Sequence, residues 1–225
     1  EIINIITDKA YVYAVENTGT LNIAGGTIKT TSTESTCINN RSTGELNISD
    51  GQFTSKDAVI TNRDTANVNI TGGTLERNAY RRQSFAIVEN CGSGTVKLVD
   101  GLLYMDTNDP NAWGKGISNE SNGTILIQGG KIELPHYDGY ELGIDNFADG
   151  TVIIENVEKI VASKAIYNTG IVEILNGNIS TNSIYYSIEN AGSGSTTIKG
   201  GNITGGELIN EDNGLLDIQG GTIKA

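Results

Sequence analysis

The stretch Asn17-Thr18-Gly19-Thr20-Leu21-Asn22-Ile23-Ala24-Gly25-Gly26-Thr27-Ile28 decides the fold. Apolar side chains fall on alternate positions at Leu21 and Ile23, then again at Ile28 beyond a pair of glycines. A period of two marks a strand with one buried face, because successive strand side chains point to opposite sides. The glycine pair brings the positive-φ freedom that a tight corner needs. One such corner is a weak signal, and its recurrence is a strong one.

The pattern returns along the whole chain. Asn17, Asn40, Asn62, Asn90, Asn119, Asn146, Asn168, Asn190 and Asn210 each close a short apolar stretch, as in Ala14-Val15-Glu16-Asn17 and Ala165-Ile166-Tyr167-Asn168. A glycine-containing turn follows each one, then an alternating strand such as Leu46-Asn47-Ile48, Val68-Asn69-Ile70 or Leu216-Asp217-Ile218. A second turn (Asp50-Gly51, Gly72-Gly73, Gly129-Gly130) and one more apolar residue (Phe53, Leu75, Ile132) complete the unit. Successive Asn residues are 23, 22, 28, 29, 27, 22, 22 and 20 positions apart. Units of this length cannot bury their own apolar face and must stack on one another. The expected fold is all-β: a single-stranded right-handed parallel β-helix, a β-solenoid, of about nine coils of roughly 22 residues with three short strands each. It would span 1–225 as one domain. Leucine-rich repeats share an Asn ladder but need a helical half, and no segment here has apolar residues at helical spacing over three turns.

The repeated Asn and Gly residues have a structural reading before any chemical one. Asn side-chain amides can bond the coils above and below, and no active site needs nine copies. The glycine pairs precede no helix, so they are not phosphate loops. Sequons such as Asn47-Ile48-Ser49 and Asn202-Ile203-Thr204 fall inside strands and follow from Asn- and Thr-rich strand composition. Cys37 and Cys91 are placed two coils apart, roughly 9–10 Å, beyond disulfide reach, and are expected to be free thiols.

Charge narrows the partners. With 15 Lys and Arg against 27 Asp and Glu, the net charge of −12 disfavours nucleic acid and anionic membrane surfaces. No apolar run of bilayer length is present, so membrane insertion is not expected.

The pattern breaks where three consecutive coils lengthen, at 76–84, 104–113 and 134–141. These insertions share one repeat position, so they should project side by side from one flank, often the binding face of a repeat protein. They hold the sole Trp (Trp113), the sole His (His136), and Arg77, Tyr80, Arg81, Arg82, Tyr104, Asp106, Asp109, Tyr137, Asp138, Tyr140 and Glu141. Rings beside acids and arginines suit a sugar chain, whose C–H face stacks on a ring while its hydroxyls are hydrogen-bonded. They equally suit a protein epitope, or a satellite cluster that covers an otherwise bare sheet. The candidate ligand-binding residues are therefore Arg77, Tyr80, Arg81, Arg82, Asp106, Asp109, Trp113, His136, Tyr137, Asp138 and Tyr140. No catalytic set is assigned. No cofactor is expected, although the loop carboxylates could in principle hold Ca²⁺.

Units such as Asn17 to Ile28 resemble the N-x-G-x-L-x-I-x-G-G-x-I repeats of large secreted, often wall-anchored bacterial surface adhesins with pectate-lyase-like right-handed β-helices. The resemblance covers nearly the whole chain. It implies an extracellular, cell-surface location and a non-catalytic domain that presents its loop face to a host glycan or surface protein. Such a domain would be monomeric within a larger chain, and the abrupt end at Gly220-Gly221-Thr222-Ile223-Lys224-Ala225 fits a fragment. A polysaccharide lyase or hydrolase on the same face, and a passive stalk, are the alternative expectations.

Overall fold

A computed structural model describes residues 3–78, 85–106, 113–134, 141–147, 149–182 and 185–224. Among these, every strand pairing is parallel, and the strands form one fifteen-stranded and one nine-stranded sheet with no helix. The chain is a parallel β-solenoid. Nine rungs in the smaller sheet enclose eight full turns, close to the nine coils expected.

Each coil has three sides. The first carries the Leu-x-Ile element, the second the Gly-x-Ile element, and the third ends on the repeated Asn. In the first four coils the first two sides form one bent strand, Thr20–Thr30, Glu45–Ser55, Asn67–Asn78 and Thr95–Asp106. From the fifth coil the corner divides them, as in Thr124–Ile127 and Lys131–Glu133. The corner is where the period-two pattern is interrupted, with register shifts at Ile23/Ala24 and Ile70/Thr71.

Equivalent residues lie directly over one another. Leu46, Val68, Val96 and Ile125 are register partners in one column, and Ile28, Phe53, Leu75 and Leu103 in another. On the third side Val15, Ile38, Ile60, Val88, Ile117, Ile144, Ile166, Ile188 and Leu208 stack likewise. Most of these are fully buried, and each is worth roughly 1.5–3 kcal/mol relative to exposure.

The Asn column is continuous. Each Nδ2 donates to Oδ1 of the next Asn at 2.7–2.9 Å, from Asn17 through to Asn210. The other amide hydrogen goes to a carbonyl of the residue's own turn, for example Asn90 Nδ2 to the Gly94 oxygen at 3.1 Å. This turn leaves no room for a side chain. A Cβ on Gly94 would sit 1.7 Å from the Ala66 carbonyl oxygen of the coil before. Cys37 is buried and Cys91 partly so, and both are free thiols.

Candidate functional site

The outer face of the nine-stranded sheet carries the chemistry. On each rung, the residue before the Asn points away from the core. These residues form the column Glu16, Asn39, Thr61, Glu89, Ser118, Asp145, Tyr167, Glu189 and Ile209. A second outward column lies four residues before the Asn and includes Tyr13 and Thr36, then Ala86, Lys115, Leu142 and Lys164. Among the described residues this face carries a hollow over the early coils and another over the later coils.

The later hollow, of about 280 Å³, has aromatic walls. Trp113, Phe147, Tyr167 and Tyr186 line it together with Lys115, Leu142, Asp145 and Lys164. Lys115 Nζ lies 2.7 Å from Asp145 Oδ2 in a largely buried ion pair. The same ammonium lies 5.4 Å from the Phe147 ring centroid, and Lys164 Nζ lies 4.6 Å from that of Tyr186. Asp145 is 3% exposed, and its second oxygen, Oδ1, has no hydrogen-bond partner. Burial raises the Asp145 carboxyl above its ordinary range; Lys115 opposes the rise and Glu120 adds to it. Burial likewise raises the Tyr186 hydroxyl, with its hydrogen bond to Glu189 acting in the same direction. Flat rings beside an acceptor in want of a donor can take a sugar ring by its C–H face and one of its hydroxyls.

The earlier hollow, of about 310 Å³, is acidic. Glu34, Asp57 and Glu89 line it with Arg63 and the rings of Tyr11, Tyr13 and Phe85. Burial lifts the Glu89 carboxyl from its ordinary 4.5 to about 7, reinforced by Glu120 and opposed by Arg63 and Arg77. Burial also raises the Asp57 carboxyl, with Arg77 as the main opposing charge.

The lengthened coils do depart from and return to one corner. Glu76 and Tyr104, expected in the insertions, are strand residues: Glu76 pairs with Tyr104 and Tyr104 with Glu133, and Ala86, Lys115 and Leu142 pair in turn where the chain returns. That corner borders the two hollows, which is how Trp113 and Phe85, at the returning ends, come to line them.

Arg77, expected as a loop cation, is a strand residue and fully buried. The alternation that turns Leu75 inward also turns Arg77 inward, in register with Ser55 and Met105. Its Nη1 donates to the Trp113 carbonyl at 2.8 Å, so it positions the main chain of the residue that walls the later hollow. Burial lowers the Arg77 pKa to about 10, against the pull of Asp57 and Glu89. Glu141 is also buried, and its carboxylate accepts a hydrogen bond from the Ser163 hydroxyl. Asp106 ends its strand opposite Asn78. Tyr80, Arg81, Arg82, Asp109, His136, Tyr137, Asp138 and Tyr140 lie outside the described residues.

Sequence reasoning missed Asp57, Phe85, Glu89, Asp145, Phe147, Lys164, Tyr167 and Tyr186. Glu89, Asp145 and Tyr167 each directly precede a repeated Asn, so a column of outward positions could have found them. Among the described residues no group of three or more His, Cys, Asp or Glu is placed to hold a metal ion. Among them, too, no helix is long and apolar enough to cross a membrane. No protein-family model, curated protein or solved structure matches this chain.

Proposed function

We propose that this chain is a glycan-binding module of a bacterial surface adhesin, and that the outer face of its nine-stranded sheet is the binding face. The arrangement of the later hollow carries the reading. Four aromatic rings line one hollow with a buried carboxylate, one of whose oxygens has no donor, and sugars supply both an apolar ring face and hydroxyl donors. A ligand hydroxyl on Asp145 Oδ1 would relieve the cost of a buried acceptor left without a partner, about 1–3 kcal/mol. The net charge of −12 favours glycans without carboxylates over polyuronates.

The test is a glycan array probed with the 225-residue chain, followed by titration of the hits against Trp113→Ala and Tyr186→Ala. Each variant should bind at least tenfold more weakly while keeping the far-ultraviolet signature of the parent. Undiminished binding by both variants would overturn the reading. Release of reducing ends or unsaturated sugars from a bound polysaccharide would replace it with an enzyme.

A further inference from the structure

We propose that the earlier hollow is a subsite for an ammonium group, so that the glycan bound on this face carries a free amine. The inference rests on the glycan reading of the face and adds the chemical class of one sugar unit.

Charge is the first observation. Two carboxylates, Glu34 and Asp57, line the hollow against one guanidinium, Arg63, beside a third acid, Glu89, that burial holds neutral up to about pH 7. Arg63 acts on Glu89, and Arg77 reaches Asp57 from the core side. Glu34 lies beside the Tyr11 hydroxyl and raises its pKa. The second observation is independent of the charge count. Asp57 is 3% exposed, and its Oδ1 has no hydrogen-bond partner although it lines an open hollow. A buried carboxylate oxygen in that state needs a donor, and a charged donor serves it best.

The aromatic lining selects the kind of cation. Tyr11, Tyr13 and Phe85 line the hollow, and aromatic rings attract organic ammonium groups through their quadrupoles. A bare divalent ion would need converging oxygens, and the described acids are not grouped closely enough to hold one. An amino sugar meets both requirements, with an ammonium for Asp57 and a C–H face for the rings. The two hollows lie on the same columns of the same sheet, over coils beginning at Tyr13 and at Lys115. Four coils at about 4.8 Å each separate their centres by roughly 19 Å, so one linear chain of several sugars spans both.

The test compares a fully deacetylated glucosamine hexamer with its N-acetylated counterpart by calorimetry at mildly acidic pH, where the amine is protonated. The deacetylated hexamer should bind at least tenfold more tightly. Tyr13→Ala, an exposed site that leaves the core intact, and the near-isosteric Asp57→Asn should each abolish that preference. Trp113→Ala should weaken both hexamers alike. Equal affinities, both lost in Trp113→Ala, would overturn the ammonium subsite and leave the glycan reading standing. A preference that survives Tyr13→Ala and Asp57→Asn would also overturn the subsite. If neither hexamer binds, the glycan reading loses this class of ligand, and free glucosamine against N-acetylglucosamine still decides the hollow. Failure of glucosamine to perturb the Tyr13 resonances in a protein NMR titration would end the proposal.

Discussion

Adjacent positions on each rung of the nine-stranded sheet are filled in opposite ways. The last residue is Asn nine times over, whereas the residue before it is Glu, Asn, Thr, Ser, Asp, Tyr or Ile. The first turns inward and bonds its counterparts above and below, so any change breaks contacts on three coils. The second turns outward, where its neighbours tolerate many shapes. A solenoid thus separates the residues that hold the stack from those that do not within two consecutive positions. One column bonds the coils together and the next varies in residue type from coil to coil.

The largest effect that tests this contrast is expected from Asn119→Ala. It removes four bonds, from Asn90 Nδ2, to the Gly123 and Thr151 carbonyls and to Asn146 Oδ1, and strands buried partners. A loss of about 3–5 kcal/mol in denaturant unfolding is expected. Its outward neighbour Ser118 makes one bond, to Glu120, and Ser118→Ala should cost no more than about 1 kcal/mol. Equal costs for the two would erase the distinction. Gly94→Ala sharpens it from the backbone side, since the added Cβ meets the Ala66 carbonyl and the turn that serves Asn90 must open. That should cost about 3 kcal/mol, read as a lower melting temperature with ligand affinity changed far less.

A further effect in the outward column, smaller than that at Asn119 or Gly94, depends on pH. Glu89 prefers its neutral form in the folded chain, so its contribution is fully present below about pH 4.5 and is lost as pH rises through about 7. A rise of that size corresponds to about 3 kcal/mol at full effect, and partial access to water reduces it to about 1–2 kcal/mol. Glu89→Gln should therefore be more stable than the parent at pH 8 and indistinguishable at pH 4, by denaturation at the two pH values. A variant with the same pH slope as the parent would place the titration elsewhere.

The fold was legible because its signals are periodic and each has a single physical cause. Alternation means a buried strand face, paired glycines mean a corner, and Asn at each turn means a ladder. Arg77 shows where that logic was applied too timidly. It stands two residues after Leu75, and the same alternation carries it into the core, yet its charge suggested a loop. The hollows were less legible for a different reason. Asp57, Phe85 and Tyr186 stand at repeat positions, five, five and four residues before their Asn, but no single residue type marks those positions, and only the stacking of rungs 22–29 residues apart brings them beside Glu89 or Tyr167. Trp113 was found because a lone tryptophan in a lengthened coil is conspicuous. Its neighbours were ordinary residues in an ordinary strand.

The unbroken file of amides has a mechanical consequence. Its bonds, like those of both sheets, run along the rod axis, so tension between the two ends loads the coils in series and not side by side. A terminal coil can then peel away while the next stays whole. Each release frees about 22 residues, or about 75 Å of extended chain. Under pulling, the rod should lengthen in a regular staircase at modest force.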